Sequence, residues 1–228
     1  MRVLFAGPSG IGKTTEAKRI SDKKQDLFFV SGSYRDLIPG NSGLTHQQML
    51  EKDAKVQEME DFQILNLRKK SYIQFPEMVS DRSPLDLAAY FMYKQAKNIP
   101  QCEMEHFLEL CKMVLNTYCS HLIFLPLEEY QLRAWITEDN DKRITSNYFQ
   151  IMITKIMYLI LDLWGFESKE EITIPSLGKG RINIFAKPFQ YGATMGEVSS
   201  TYGRTKVLIC RELNKDNREY TMNRFLGI

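Results

Sequence analysis

The stretch Gly7-Pro8-Ser9-Gly10-Ile11-Gly12-Lys13-Thr14 matches the phosphate-binding pattern G-x-x-x-x-G-K-[ST] at every position. An apolar run at residues 3–6 precedes it and predicts a buried strand, and residues 13–21 predict a helix after it. A strand, a glycine-rich turn and a helix in this order are the setting in which such a loop binds phosphate. The sequence therefore predicts a nucleoside triphosphate site near the start of the chain.

The residue types of this loop suit a triphosphate. Its glycines let the backbone curl so that N–H groups converge on phosphate oxygens, and the following helix adds the positive end of its dipole. We expect Lys13 to reach the β- and γ-phosphates, the Thr14 hydroxyl to bind Mg²⁺, and Thr15 to contact the α-phosphate. The predicted nucleotide-binding residues are Gly7, Pro8, Ser9, Gly10, Ile11, Gly12, Lys13, Thr14 and Thr15.

Strand-like and helical segments alternate along the chain. Alternation of this kind favours an α/β fold in which helices cover both faces of a mainly parallel sheet. We therefore expect a P-loop NTPase fold with a five-stranded sheet and the phosphate site at the carboxyl ends of the strands. The apolar runs predict strands at residues 3–6, 27–30, 78–80, 121–125 and 172–174.

Residues 177–228 differ in composition from residues 1–176, and we expect them to form a small β-rich extension to a complete core, with strands at residues 181–185 and 205–210. From Gly178 to the end, nine Lys or Arg stand against four Asp or Glu. Basic and aromatic residues together are typical of a nucleic-acid surface. A segment that packs its aromatic residues on the core would have the same composition. The residues concerned are Lys187, Arg204, Lys206, Arg211, Lys215, Arg218, Arg224, Phe185, Phe189, Tyr191, Tyr202, Tyr220 and Phe225.

The composition narrows the class of protein. The chain has 228 residues, 43% of them hydrophobic, which suits one globular domain with an appendage. No apolar run approaches the roughly 20 residues that cross a membrane, and the apolar start is too short for a signal peptide. The four cysteines form no CxxC pair and no metal-binding spacing with the three histidines. We expect a cytoplasmic protein with reduced thiols and no membrane contact.

A second motif, Ser80-Asp81-Arg82-Ser83-Pro84, ends the predicted third strand and begins a helix. Strand ends and phosphate loop share one edge of a parallel sheet, so a carboxylate here lies beside the phosphates. Asp81 can bind Mg²⁺ or accept the proton of an attacking hydroxyl, and Arg82 can hold a phosphate or orient the acceptor. The alternative is that Asp81 is the N-cap of the helix. The nearby phosphate loop favours the catalytic interpretation.

Residues 7–15, followed by Asp81-Arg82-Ser83-Pro84-Leu85-Asp86-Leu87-Ala88-Ala89-Tyr90, resemble the nucleoside and nucleotide kinases of the thymidylate-kinase-like group. The resemblance is strongest to the small ATPase/kinase family that includes nicotinamide riboside kinase domains and many bacteriophage proteins. It covers roughly residues 1–175. It implies an ATP-dependent phosphotransferase that uses ATP and Mg²⁺, with Lys13, Asp81 and Arg82 as catalytic residues. For a protein of viral origin, the expected location is the host cytoplasm.

The resemblance also implies a lid and an acceptor pocket. The lid is expected at residues 128–143 with Arg143 as its catalytic arginine and Arg133 as the second choice, although the family's usual lid glycine is absent. Arg35, which follows the second strand, is expected to bind a phosphate of the acceptor. Asp61 and Arg68 lie on a polar helix, and we expect both to face solvent.

Three functions follow from these observations. The first is transfer of the γ-phosphoryl group of ATP to a nucleoside or nucleotide. The second is phosphorylation of 5-hydroxymethyluracil in DNA, with the extension holding the DNA, as in bacteriophage kinases that take part in DNA modification. The third is a P-loop ATPase or GTPase without an acceptor. The chain lacks the guanine-binding Asn-Lys-x-Asp sequence and an Asp-Glu strand end, and both absences favour a kinase.

Overall fold

A computed structural model describes residues 1–33, 37–38, 40–41, 44, 48, 51–127, 147–166, 168–173, 181–185, 205–210 and 215–228. In chain order the elements are β1 (Arg2–Ala6), α1 (Lys13–Lys23), β2 (Phe28–Val30), α2 (Ala54–Gln74), β3 (Met78–Ser80), α3 (Pro84–Gln95), α4 (Gln101–Tyr118), β4 (His121–Phe124), α5 (Asn147–Leu163), β5 (Ser168–Thr173), β6 (Arg181–Phe185), β7 (Lys206–Ile209) and α6 (Lys215–Leu226). None of these helices is long and apolar enough to cross a membrane.

The strands form one sheet in the order β2-β3-β1-β4-β7-β6-β5. The first five strands of this order are parallel to their neighbours. Strand β6 runs antiparallel to β7, and β5 runs antiparallel to β6. The predicted five-stranded parallel sheet with flanking helices is therefore confirmed, and the phosphate loop follows its central strand, β1.

The fifth parallel strand is a different segment from the one predicted. Lys206–Ile209 pairs with β4, whereas the segment predicted as the last strand of the core overlaps Ser168–Thr173, on the antiparallel edge. Val207 and Leu208 are fully buried, as a strand covered on both faces requires. The charged sequence Ser-Lys-Glu-Glu-Ile-Thr of β5 suits an edge strand. The expectation of a core complete before residue 177 is wrong, and the division at residue 176 stays a prediction about domains.

Helix α6 was missed by the sequence analysis, which predicted only a β-rich extension for residues 177–228. Its buried face carries Arg218, Thr221, Met222 and Leu226, which have helical spacing. Two of these residues are polar, so no apolar periodicity marks the helix. Gly227, with a φ of 71°, directly follows it and is the one signal of a helix end that the sequence offered.

The hydrophobic core lies on both faces of the sheet. In β1, Leu4 and Ala6 face a cluster that α3, α4 and α5 complete, whereas Val3 and Phe5 face a cluster that α1 and α6 complete. All four side chains are fully buried. A central strand held on both sides fixes the position of the loop that follows it.

Candidate active site

The phosphate loop depends on three glycines with positive φ angles: 147° at Gly7, 83° at Gly10 and 90° at Gly12. A Cβ atom at Gly7 would lie 2.3 Å from the carbonyl oxygen of Leu125, so the backbone directly after β4 leaves no room for a side chain there. Gly12 is the N-cap of α1 and offers no side chain to its first turn. The amides of that turn therefore remain open to an anion.

Lys13 is buried at the start of α1, inside the loop. Its Nζ donates hydrogen bonds to the carbonyl oxygens of Gly7 (2.5 Å) and Pro8 (2.7 Å), and it lies 3.6 Å from Oδ1 of Asp86. Burial, with a further contribution from Arg82, lowers the pKa of Lys13 to about 7 against the opposing effect of Asp86. In the free protein the amino group of Lys13 is therefore held inside the loop by two carbonyls and the nearby Asp86 carboxylate.

Asp81 lies directly beside the loop. Its Oδ2 accepts a hydrogen bond from the Thr14 hydroxyl at 2.7 Å, and its Oδ1 accepts one from the backbone N–H of Gly32 at 2.9 Å. A carboxylate and a hydroxyl are hard oxygen donors that suit Mg²⁺, which usually keeps few protein ligands alongside nucleotide phosphates. Within the described ranges no cluster of three or more His, Cys, Asp or Glu residues could hold a metal alone. The donor set therefore fits Mg²⁺ bound together with a nucleotide.

Asp86 joins the second motif to the phosphate loop. Its Oδ2 accepts hydrogen bonds from the N–H and hydroxyl of Ser83 at 2.9 and 2.8 Å, which completes a capping box at the start of α3. Its Oδ1 contacts the N–H of Gly7 at 3.3 Å and Nη1 of Arg82 at 3.4 Å. Because Ser83 is the N-cap of α3, Asp81 is not needed as a cap, and that alternative is wrong.

Two further residues hold the loop and were not predicted. The N–H of Ser9 donates to the hydroxyl of Tyr90 at 3.1 Å, and Nε2 of Gln150 donates to the carbonyl oxygen of Ser9 at 2.6 Å. Burial raises the pKa of Tyr90, so its hydroxyl keeps its proton. Tyr90 ends the ten-residue motif quoted above, which was the available signal. Gln150, on α5, carries no signal in the sequence.

The solvent-facing expectation for the polar residues of α2 is wrong. Asp61 is fully buried and Arg68 is 5% exposed. Asp61 accepts a charged hydrogen bond from Lys94 of α3 at 2.5 Å, and burial raises the pKa of Asp61 against the effect of that partner. Arg68 donates to the carbonyl oxygens of Ser83 and Gly32. Helix α2 therefore presents charged groups to the protein interior, next to the strand ends that carry the site.

A sequence-family comparison agrees with this geometry. The model of a family described as AAA domain matches residues 2–158, which include the phosphate loop and Asp81. The chain belongs to this AAA domain family. No curated protein matches the sequence of this AAA domain protein.

Solved structures share the fold of this AAA domain protein. Deoxyadenosine kinase from M. mycoides with the products dCMP and dCDP has a TM-score of 0.61 at 15% identity, and 100% of each chain is covered. The same enzyme with dCTP has a TM-score of 0.57 at 14% identity, again over 100% of both chains. Thymidylate kinase from Candida albicans has a TM-score of 0.52 at 17% identity, covering 71% of this chain and 77% of that one. At these identities the likeness shows the fold.

The structure does not describe every predicted site residue. Arg35, Arg133, Arg143 and the lid at residues 128–143 are outside the described residues of the AAA domain protein. Arg218 does not lie on a nucleic-acid surface: it is 5% exposed, and its Nη1 lies 3.4 Å from the carbonyl oxygen of Ile11 in the phosphate loop.

The other described residues of the predicted nucleic-acid surface differ in their exposure to solvent. Phe225 packs edge-on against His121, with ring centroids 5.3 Å apart. Lys206 and Arg224 are exposed. DNA contact through the extension stays a prediction.

Proposed function

We propose that this AAA domain protein is an ATP-dependent kinase that transfers the γ-phosphoryl group of ATP to a nucleoside- or nucleotide-type acceptor. The observation that carries the proposal is the contact between Asp81 and Thr14, which sets a carboxylate 2.7 Å from the hydroxyl that follows Lys13. The fold that the chain shares with deoxyadenosine kinase supports it. ATP and Mg²⁺ are the proposed cofactors.

The described residues have distinct parts in the proposed reaction. The loop amides, the N-terminus of α1 and Lys13 bind the phosphates, and nucleotide phosphates replace the carbonyl oxygens of Gly7 and Pro8 as partners of Lys13. Bound Mg²⁺ would neutralise charge on the β- and γ-phosphates, with Thr14 and Asp81 as the residues that hold it.

The group transfer uses the same carboxylate. With a nucleoside acceptor, Asp81 accepts the proton of the attacking hydroxyl as the hydroxyl oxygen bonds to the γ-phosphorus. With a nucleotide acceptor, an ionised phosphate oxygen makes that bond and no proton has to be removed. The bond from that phosphorus to the bridging oxygen then breaks, and ADP leaves. Arg82, whose Nη1 lies 3.4 Å from Oδ1 of Asp86, would stabilise charge on the transferred group.

The positions of the carboxylates in the second motif favour a kinase over an ATPase. A water-activating site would be expected to place a second free carboxylate after Asp81, whereas that position holds Arg82. The next carboxylate, Asp86, is engaged by Ser83, Gly7 and Arg82. Asp86 is thus committed to the start of α3, whereas Asp81 lies beside the hydroxyl of Thr14.

The test is transfer of ³²P from γ-labelled ATP to a panel of acceptors by the wild-type protein and by Asp81→Asn. The panel contains deoxynucleosides, deoxynucleoside monophosphates, nicotinamide riboside, plain DNA and DNA with 5-hydroxymethyluracil. Label on a free nucleoside or monophosphate, lost in Asp81→Asn, supports the proposal. Label on modified DNA alone would instead assign the DNA kinase function. Phosphate release with no labelled acceptor would assign an ATPase and overturn the proposal.

A further inference from the structure

Arg68 of α2 joins two strand ends from within the protein. Its Nη1 donates to the carbonyl oxygen of Ser83 at 2.8 Å, and its Nη2 donates to that of Gly32 at 2.9 Å. Gly32 follows β2 and Ser83 follows β3, and these strands are neighbours in the sheet. One planar guanidinium group therefore fixes the distance between the segment after β2, which contains Gly32, and the segment after β3, which contains Ser83.

Gly32 transmits this constraint to Asp81. Its N–H donates to Oδ1 of Asp81 at 2.9 Å, while its carbonyl accepts from Arg68. A Cβ atom at Gly32 would lie 2.5 Å from Cβ of Arg82, so the two strand ends pack too closely for a side chain. The carboxylate of Asp81 is thus oriented by a backbone group that Arg68 holds in place.

Ser83 transmits the constraint to the other carboxylate. Its carbonyl accepts from Arg68, and its N–H and hydroxyl donate to Asp86. Asp86 in turn contacts the N–H of Gly7 in the phosphate loop. Both carboxylates of the candidate site therefore depend on backbone groups that Arg68 binds.

The hydrogen-bond geometry of Arg68 suits an arginine at this position. Within the described part of the chain its hydrogen bonds go to neutral carbonyls and no carboxylate lies within 4 Å, although its charge acts at longer range on the buried Asp61 carboxylate of the same helix. Removing a guanidinium group from water without a carboxylate partner is costly. A fork of parallel N–H donors can hold two carbonyls at once, which a lysine ammonium cannot do with the same geometry.

We infer that Arg68 is a positioning residue that sets the geometry of Asp81 and Asp86 for phosphoryl transfer through the backbone of Gly32 and Ser83. The kinetic consequence rests on the proposed function, whereas the structural consequence does not. Loss of the fork should misplace the carboxylates without removing any group that binds ATP.

The experiment compares Arg68→Lys, Arg68→Met and the matched control Lys69→Met, which removes an exposed cation from the same helix. Hydrogen exchange of the Gly32 amide is measured by NMR, with the Leu4 amide of β1 as internal reference. Steady-state transfer of labelled phosphate is measured with a mixture of the common deoxynucleosides and their monophosphates. For Arg68→Lys we expect Gly32 exchange at least about tenfold faster with Leu4 unchanged. We also expect kcat at least about tenfold lower, with KM for ATP within about threefold.

The outcomes separate the inference from the proposed function. Arg68→Lys with wild-type exchange at Gly32, or with kcat within about twofold of Lys69→Met, overturns the inference. If Arg68→Met fails to fold, the exchange and kinetic results for Arg68→Lys alone decide whether the inference stands. Faster Gly32 exchange in a protein that labels no acceptor supports the structural link and overturns the proposed function alone.

Discussion

Replacing Asp81 by asparagine should remove the charge of the carboxylate while leaving its hydrogen bonds in place. Asp81 accepts from the Gly32 N–H through one oxygen and from the Thr14 hydroxyl through the other. An asparagine can keep its oxygen on Gly32 and donate from its amide to Thr14, whose hydroxyl proton rotates away. The substitution therefore isolates the effect of charge and basicity at this position.

The expected magnitudes differ between stability and rate. With both hydrogen bonds kept, the free energy of unfolding of Asp81→Asn should lie within about 1 kcal/mol of wild type. Loss of a general base typically lowers the rate about 10²- to 10⁴-fold, which corresponds to roughly 3–5 kcal/mol in the activation free energy. Asp81→Ala is the matched control, because it leaves the buried Gly32 N–H without an acceptor and should cost about 1–3 kcal/mol of stability.

The assay combines urea unfolding, followed by circular dichroism, with transfer of labelled γ-phosphate to the acceptors of the panel. Two results would refute the reasoning. An Asp81→Asn protein that unfolds like wild type and keeps its turnover within about tenfold would show that Asp81 is not the base. An Asp81→Asn protein that is less stable than Asp81→Ala would show that the hydrogen-bond geometry is wrong.

Three other perturbations give testable outcomes. Lys13→Met should abolish ATP binding in calorimetry but leave the urea midpoint unchanged or higher. Burial lowers the pKa of Lys13 to about 7 in the free protein, so the charged side chain does not stabilise the fold there. A midpoint well below wild type would contradict this. Lys94→Met removes the cation paired with buried Asp61 and should lower the free energy of unfolding by about 3–5 kcal/mol. In urea unfolding, the double variant Asp61→Leu/Lys94→Met should recover most of this lost stability, because it leaves no buried charge unpaired. A double variant less stable than Lys94→Met would disprove this account. Burial and Lys206 lower the pKa of His121 from 6.5 to about 4, so the unfolded chain binds more protons between these values and stability falls as the pH falls through them. His121→Gln should therefore lose less of its urea midpoint than wild type between about pH 7 and about pH 5, and an equal loss would sink the explanation.

The phosphate loop and the second motif were predictable because their information is local. Gly7, Gly10 and Gly12 adopt positive φ angles that glycine allows at low cost, and the apolar run before them forms the central strand. Ser83 and Asp86 cap α3 three residues apart, so the helix start also follows from neighbouring residues. The roles proposed for Lys13, Thr14, Asp81 and Arg82 remain predictions, which the kinetic experiments above test.

Other features depend on residues far apart in the chain. The fifth parallel strand, Lys206–Ile209, and the antiparallel edge strand, Ser168–Thr173, both have strand-like sequences, and pairing alone distinguishes them. Arg218 was interpreted as part of a nucleic-acid surface because burial of a charged residue leaves no mark in its local sequence. Gln150 reaches the phosphate loop across 141 positions of the chain.

The sequence by itself determined the conformation of the phosphate loop and the presence of a carboxylate at the neighbouring strand end. Glycine spacing and strand-to-helix order act through the backbone within a few residues, which is why they can be interpreted without coordinates. The tertiary structure decided which strand completes the sheet and which polar side chains support the site. Arg68 shows the difference, because its side chain is buried by packing yet bonds carbonyls 15 and 36 positions away, and only the folded chain brings these groups within hydrogen-bonding distance.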